Sequence, residues 1–191
     1  MPVTNKLGAR VRQLREMREM TLAQLAEQSQ CHVDLLLRIE AGELVPSLAP
    51  LMSIARALGL RLGTLLDDEP HEGPVLVKSG ESASTIRFSG NDPHATSSNL
   101  VFSAMAAGKR DRHMEPFLID VQPCGNATPP VSSHEGEEFI YVLSGCVQIS
   151  YGETLYQLEA GDSLYYDSIV PHHVSAREDV ARILAVVYAP F

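Results

Sequence analysis

The feature that most constrains this chain is a change of hydrophobic period near residue 67. From Lys6 to Leu66, apolar residues recur at spacings of three and four. They fall at Leu7, Val11 and Leu14, at Leu22, Leu25 and Ala26, at Leu35, Leu36 and Ile39, and at Leu51, Ile54, Ala55 and Leu58. That rhythm places one apolar stripe on each of several short helices. Punctuation agrees with it: Thr21 is a good N-cap for LAQLAEQ, Gly42 stops the helix that ends in Glu40, Pro46-Ser47 opens the next, and Gly59 closes the fourth. A short fifth helix is expected over Leu62–Leu66. Beyond the linker the period becomes two. VLVKSG, STIRFSG, NLVFSAM, PFLIDVQ, EFIYVLSG, CVQISYG, TLYQLEAG, SLYYDS, HHVSA and RILAVVY read as short strands divided by turn residues. The pattern predicts an α+β multidomain chain: a five-helix bundle over 1–66, an acidic Pro/Gly linker over 67–74, and an antiparallel β-barrel or sandwich over 75–191.

Charge divides at the same place. The chain carries a formal charge of -9, which excludes a non-specific nucleic-acid coat. Residues 1–66 nevertheless hold eight basic against six acidic groups, so the excess of acid lies beyond them and the two modules face different partners. The three scattered cysteines, Cys31, Cys124 and Cys146, form no CxxC pair and read as reduced thiols of a cytoplasmic protein. No apolar run approaches the ~18 residues of a spanning helix, so no membrane partner is expected.

Within the helical module, Thr21–Gly42 has the layout of a helix-turn-helix, with a tight turn at Gln30-Cys31-His32. The stretch from Leu7 to Leu66 resembles the XRE family of lambda/434-repressor-like helix-turn-helix domains. The resemblance rests on Leu14 to Arg18, LAxLAE (Leu22–Glu27), RIExG (Arg38–Gly42), Pro46-Ser47 and LxxIARALG (Leu51–Gly59). It implies a structural ion pair between Arg15 and Glu40, phosphate contacts from Arg10 and the helix start at Thr21, and base reading by His32, Val33, Asp34 and Arg38. Leu22 stands where many relatives carry glutamine, and Asp34 would repel phosphate while accepting from a cytosine amino group. The other reading of this surface is a dimerisation scaffold that no longer reads DNA.

In the second module the informative run is SSHEGEEFIYVLSG, Ser132–Gly145. Read as one strand, it puts His134 and Glu138 on the same face, with Ile140 and Val142 continuing that face into a core. GDSLYYDSIVPHHV adds His172 just past a proline, and two histidines with one carboxylate suit iron, manganese or a similar ion. His173 should point to the opposite face as a solvated or packing residue. Glu135, Glu137 and Glu138 are crowded enough that mutual repulsion would raise their pKa values unless a cation sits there. Lys109-Arg110-Asp111-Arg112 reads as a solvated basic tip, and His32, His71, His94 and His113 as surface or loop residues.

These two runs resemble the paired motifs of the cupin family, a small antiparallel β-barrel, over at least Gly125 to Val174. The resemblance implies a divalent metal (Fe, Mn, Zn or Ni) on His134, Glu138 and His172, with Ser132 replacing the first histidine of the motif. Asp167 and Ile169 replace its later proline and glycine. The alternative is a metal-free pocket in which the same residues bind a ligand or each other. Ser132, Tyr141 and Tyr166 are candidate pocket residues. Together the modules resemble bacterial XRE-cupin transcriptional regulators. That resemblance implies a homodimer on pseudo-palindromic double-stranded DNA, with half-sites about 34 Å apart, and a small-molecule effector in the barrel. The chain is read as a non-enzyme; the alternative is a metal-dependent cupin enzyme, dioxygenase- or isomerase-like, whose helical module serves protein contacts.

Overall fold

The computed structural model describes residues 3–67, 72–79, 85–87, 99–124, 131–188 and 190. Linker residues 68–71 with His71, most of STIRFSG, His94 and Gly125 lie outside the described residues. Five helices come first: α1 (Val3–Met17), α2 (Leu22–Ser29), α3 (Val33–Glu40), α4 (Leu48–Ala57) and α5 (Leu62–Leu66). Local chemistry fixes their ends. Thr21 and Gln24 form a reciprocal capping box at the start of α2, and Gln30 closes that helix in the left-handed conformation. Val11, Leu25, Leu36, Ile39, Leu51 and Ile54 are fully buried between the helices. Gly8 is required where α1 crosses α3, because a Cβ there would sit 2.1 Å from the Ile39 carbonyl oxygen.

Nine strands follow: β1 (Thr85–Arg87), β2 (Leu100–Ala104), β3 (Met114–Val121), β4 (Glu137–Ser144), β5 (Cys146–Tyr151), β6 (Thr154–Glu159), β7 (Ser163–Asp167), β8 (His172–Ala176) and β9 (Ala181–Tyr188). All ladders are antiparallel and form two sheets, one ordered β1-β2-β3-β9-β4-β7 and one ordered β6-β5-β8. The antiparallel architecture is as expected, and among the described residues the two sheets do not close into one barrel. Among the described residues, isolated bridges at Pro123–Ala176 and Ser132–His172 link the sheets, not a continuous ladder. Val75–Lys78, expected as a strand, joins no ladder among the described residues. Leu76 is largely exposed, so the alternation that looked like a strand is not covered by any described residue. Strand alternation sends Ile140, Val142, Val147, Ile149, Ile183 and Val187 into the interior.

The two modules meet through charge. Arg112, just ahead of β3, pairs with Asp67 at the end of α5 and donates from Nε to Glu115 at 2.7 Å. Its guanidinium lies directly on Gly63, where a Cβ would come within 2.5 Å of it. The predicted solvated tip is therefore wrong at Arg112, which is buried in an ion triad. Burial pushes the Glu115 carboxyl up to about 7, although Arg112 favours its ionised form. A second bridge, Arg56 to Glu135 at 2.6 Å, joins α4 to the loop before β4 and is solvent-exposed.

Candidate metal and ligand site

His134, Glu138 and His172 converge, and one potential ligand atom from each lies within 4.8 Å of the others. They do so by a route that even spacing along a strand did not anticipate. His134 precedes β4, and Gly136 intervenes with φ +107. A Cβ at Gly136 would lie 2.0 Å from the Tyr188 carbonyl oxygen, so only glycine allows this turn. The loop is then tied across the β7–β8 connection: the His134 N–H donates to the Ser168 carbonyl, and Ser132 and His172 exchange backbone hydrogen bonds. Ladder register places Glu138 opposite Tyr166, and β8 begins at His172.

The imidazoles are held from behind. His134 Nδ1 lies 3.2 Å from the Glu135 carbonyl and His172 Nδ1 lies 2.9 Å from the Val170 carbonyl. Each Nδ1–H donates to its carbonyl, and both Nε2 atoms are turned to the carboxylate, at 2.7 Å for His134 and 3.5 Å for His172, where a protonated Nε2 donates to Oε1 and a metal ion would take that proton's place. Both reach Glu138 Oε1, while Oε2 accepts a 2.7 Å hydrogen bond from the Tyr166 hydroxyl. Burial works to raise the Glu138 pKa, but the hydrogen bonds and charges of the two histidines hold it below the usual carboxylate range. The three neighbouring carboxylates are given separate partners. Glu135 pairs with Arg56, Glu137 accepts from Tyr165, and Glu138 turns inward. Burial and the Glu138 charge raise the Tyr166 pKa, so that phenol stays a donor.

The cluster opens into a cavity of about 110 Å³. Its walls are mainly aliphatic, Leu100, Ile119, Ile140 and Val187 among them, and its polar residues include Asn99, Ser132 and His173. His173 is buried here, with Nε2 3.4 Å from Cys124 Sγ; it is the packing residue and not the solvated one, and it shares the cavity lining with His172 where a regular strand would have turned it to the other face. Tyr141 points outward and is 38% exposed, because it alternates with buried Ile140 and Val142. Tyr166 supports Glu138 from behind. Sequence reasoning missed Ser47 and Leu48, which reach the cavity from the start of α4. No local signal announces them, since their placement depends on how the two modules dock.

In the helical module the Arg15 guanidinium grips the Glu40 carboxylate at 2.7 and 2.8 Å and also caps the Met20 carbonyl. That pair fixes α3 against α1 and leaves the opposite side of its first turn outward. His32, Val33 and Asp34 are exposed, while Arg38 is half-buried and 3.7 Å from Glu43. Thr21 is exposed with its hydroxyl committed to capping α2, and Arg10 is half-buried with Nε unpartnered among the described residues.

Comparison with known proteins agrees with this layout. Residues 6–68 match a family model described as a helix-turn-helix domain, and residues 117–188 match the cupin domain. The chain is a helix-turn-helix–cupin protein. In architecture it is similar to an HTH_3 family transcriptional regulator from Vibrio cholerae, with a TM-score of 0.66 at 20% identity over 98% of this chain and 97% of that one. (S)-2-hydroxypropylphosphonic acid epoxidase of Streptomyces wedmorensis is 27% identical over 166 residues, covering 77% of this helix-turn-helix–cupin protein and 76% of the epoxidase. The crystal structure of FeII HppE superposes with a TM-score of 0.51 at 22% identity, over 98% of this chain and all of that one. No helix among the described residues is long and apolar enough to cross a membrane.

Proposed function

We propose that this protein is a dimeric DNA-binding transcriptional regulator whose cupin domain takes a divalent metal and a small-molecule effector. The observation that carries the reading is the presentation of α3. Its inner face is locked by Arg15–Glu40, while His32, Val33 and Asp34 stand free at its first turn. This is how a recognition helix offers side chains to the major groove. Arg38 reaches guanine, Val33 a thymine methyl and Asp34 a cytosine amino group; Arg10 and the helix start at Thr21 take phosphates. Three exposed side chains on one face of the β4–β7 pair, Tyr141, Leu143 and Tyr165, support dimerisation there. Three free thiols fit a cytoplasmic setting.

The donor set fits a metal. Two imidazoles with Nδ1 anchored on backbone carbonyls and one buried carboxylate match the facial arrangement that iron(II) and manganese(II) accept. When bound, such an ion supplies a Lewis-acidic anchor for an oxygen-bearing ligand. The chain's own part is to hold Glu138 ionised, keep it oriented through Tyr166, and exclude water with the aliphatic walls. An effector changes DNA occupancy only as far as it prefers one arrangement of the two reading heads.

The test is binding to the upstream intergenic DNA across a salt series, against scrambled DNA. Sequence-dependent binding with a steep salt slope is expected, and His32→Ala with Arg38→Ala should cost about 10- to 100-fold in specific affinity while the dimer survives. Equal, weak binding to both DNAs, repeated in a selection from genomic fragments, would overturn the reading. The same three donors and the 27% identical epoxidase favour a second reading, a metal-dependent cupin enzyme. Turnover of small acids under added Fe(II) would establish it.

A further inference from the structure

The cavity is not built by the cupin sheets alone. Leu48, the first residue of α4, and its N-cap Ser47 form part of its lining, together with Ile183 and Val187 of the cupin sheet. The same helix is bridged by Arg56 to Glu135, whose carbonyl faces His134 Nδ1. A molecule in the cavity therefore touches both modules at once.

Charge then restricts what that molecule is. Among the residues whose side chains are described, no lysine or arginine lines the cavity, and Arg87 of β1 stands in register with Val101, which is not among the lining residues. Residues 80–84, 88–98 and 125–130, outside the described set, contain neither type. The nearby guanidiniums are engaged elsewhere: Arg56 by Glu135, Arg112 by Asp67 and Glu115, and Arg182 by Asp120. A divalent ion on Glu138 and two neutral imidazoles carries a net single positive charge, which one carboxylate neutralises. A phosphonate dianion would leave uncompensated negative charge against aliphatic walls, a costly arrangement. We propose that the cavity takes a monoanionic acid with an apolar body, whose acid group lies at His134, Glu138 and His172 and whose tail packs between the cupin sheet and Leu48. This rests on the metal reading above and separates the present site from that of a protein acting on a phosphonic acid.

The probes are butanoate, hexanoate, octanoate and hexylphosphonate, titrated calorimetrically into the full-length protein loaded with Mn(II). The pH is kept alkaline enough to leave the phosphonate doubly charged. Affinity should rise about three- to fourfold per added methylene, and hexylphosphonate should bind at least about tenfold more weakly than hexanoate. A flat series, or a phosphonate that binds as tightly, would overturn the inference. A separate Mn(II) titration comes first, and absence of uptake there would overturn the metal reading and this inference with it. Leu48→Ala should weaken octanoate several-fold more than butanoate. Because that substitution also touches the helical core, hydrogen exchange on the unmodified protein provides an independent readout. Octanoate should slow exchange across residues 44–52, and unchanged exchange there would overturn the role of Leu48.

Discussion

Each module buries a charge cluster, and the two differ in what they leave open. Arg15 and Glu40, with side chains 11% and 7% exposed, form a closed pair: the carboxylate receives two guanidinium hydrogen bonds, and the same guanidinium caps a backbone carbonyl. His134, Glu138 and His172 are equally buried, yet their Nε2 atoms and Glu138 Oε1 look into a cavity. The first cluster spends its hydrogen-bonding capacity on holding α3 in place. The second keeps exchangeable donors, anchored from behind, at a place a ligand can reach. Burial of charge alone does not mark a functional site; burial beside an open, apolar-walled space does.

The comparison breaks most visibly at the closed pair. Glu40→Ala strands the Arg15 guanidinium and should cost about 3–5 kcal/mol in chemical denaturation, whereas replacing both partners with apolar residues should cost far less. The Asp67–Arg112–Glu115 triad is next. Because the folded carboxyl of Glu115 is raised to about 7, its contribution is complete below the unfolded pKa near 4.5 and is lost as pH rises through 7. Stability should fall by up to about 3 kcal/mol between pH 5 and pH 8, and Glu115→Gln should flatten that slope. Glu138→Gln, at the open cluster, should cost about 1–2 kcal/mol, since the amide still accepts from Tyr166 but the attraction between the carboxylate and the two histidines is lost. Smallest of all, Arg56→Ala should move stability by less than about 0.5 kcal/mol, because the pair with Glu135 is 55% and 44% exposed. Thermal melts of these variants rank the four.

Where the controlling forces are local, the sequence was readable. Thr21, Gln30, Gly42 and Gly59 set helix ends through hydrogen bonds and φ angles within a few residues, and the helices begin and end there. The Arg15–Glu40 pair and the convergence of His134, Glu138 and His172 followed from family resemblance. What escaped depends on register and docking. Whether Tyr141 or Tyr166 backs the carboxylate is decided by the β4–β7 ladder, which sets Glu138 against Tyr166. Arg112 looked like a solvated residue because its partner Asp67 lies in the other module. Val75–Lys78 alternates as strands do but joins no edge among the described residues. Leu48 enters the cavity wall only once the modules pack.

The most direct test of the contrast is a calorimetric titration of Mn(II) into the full-length protein and into Glu138→Gln, at equal concentration and fold content. One ion per chain should bind the unmodified protein, with affinity reduced at least about 100-fold in the variant and unchanged in Arg56→Ala. No uptake by the unmodified protein, or equal uptake by both, would contradict the claim that the open cluster is built to be occupied.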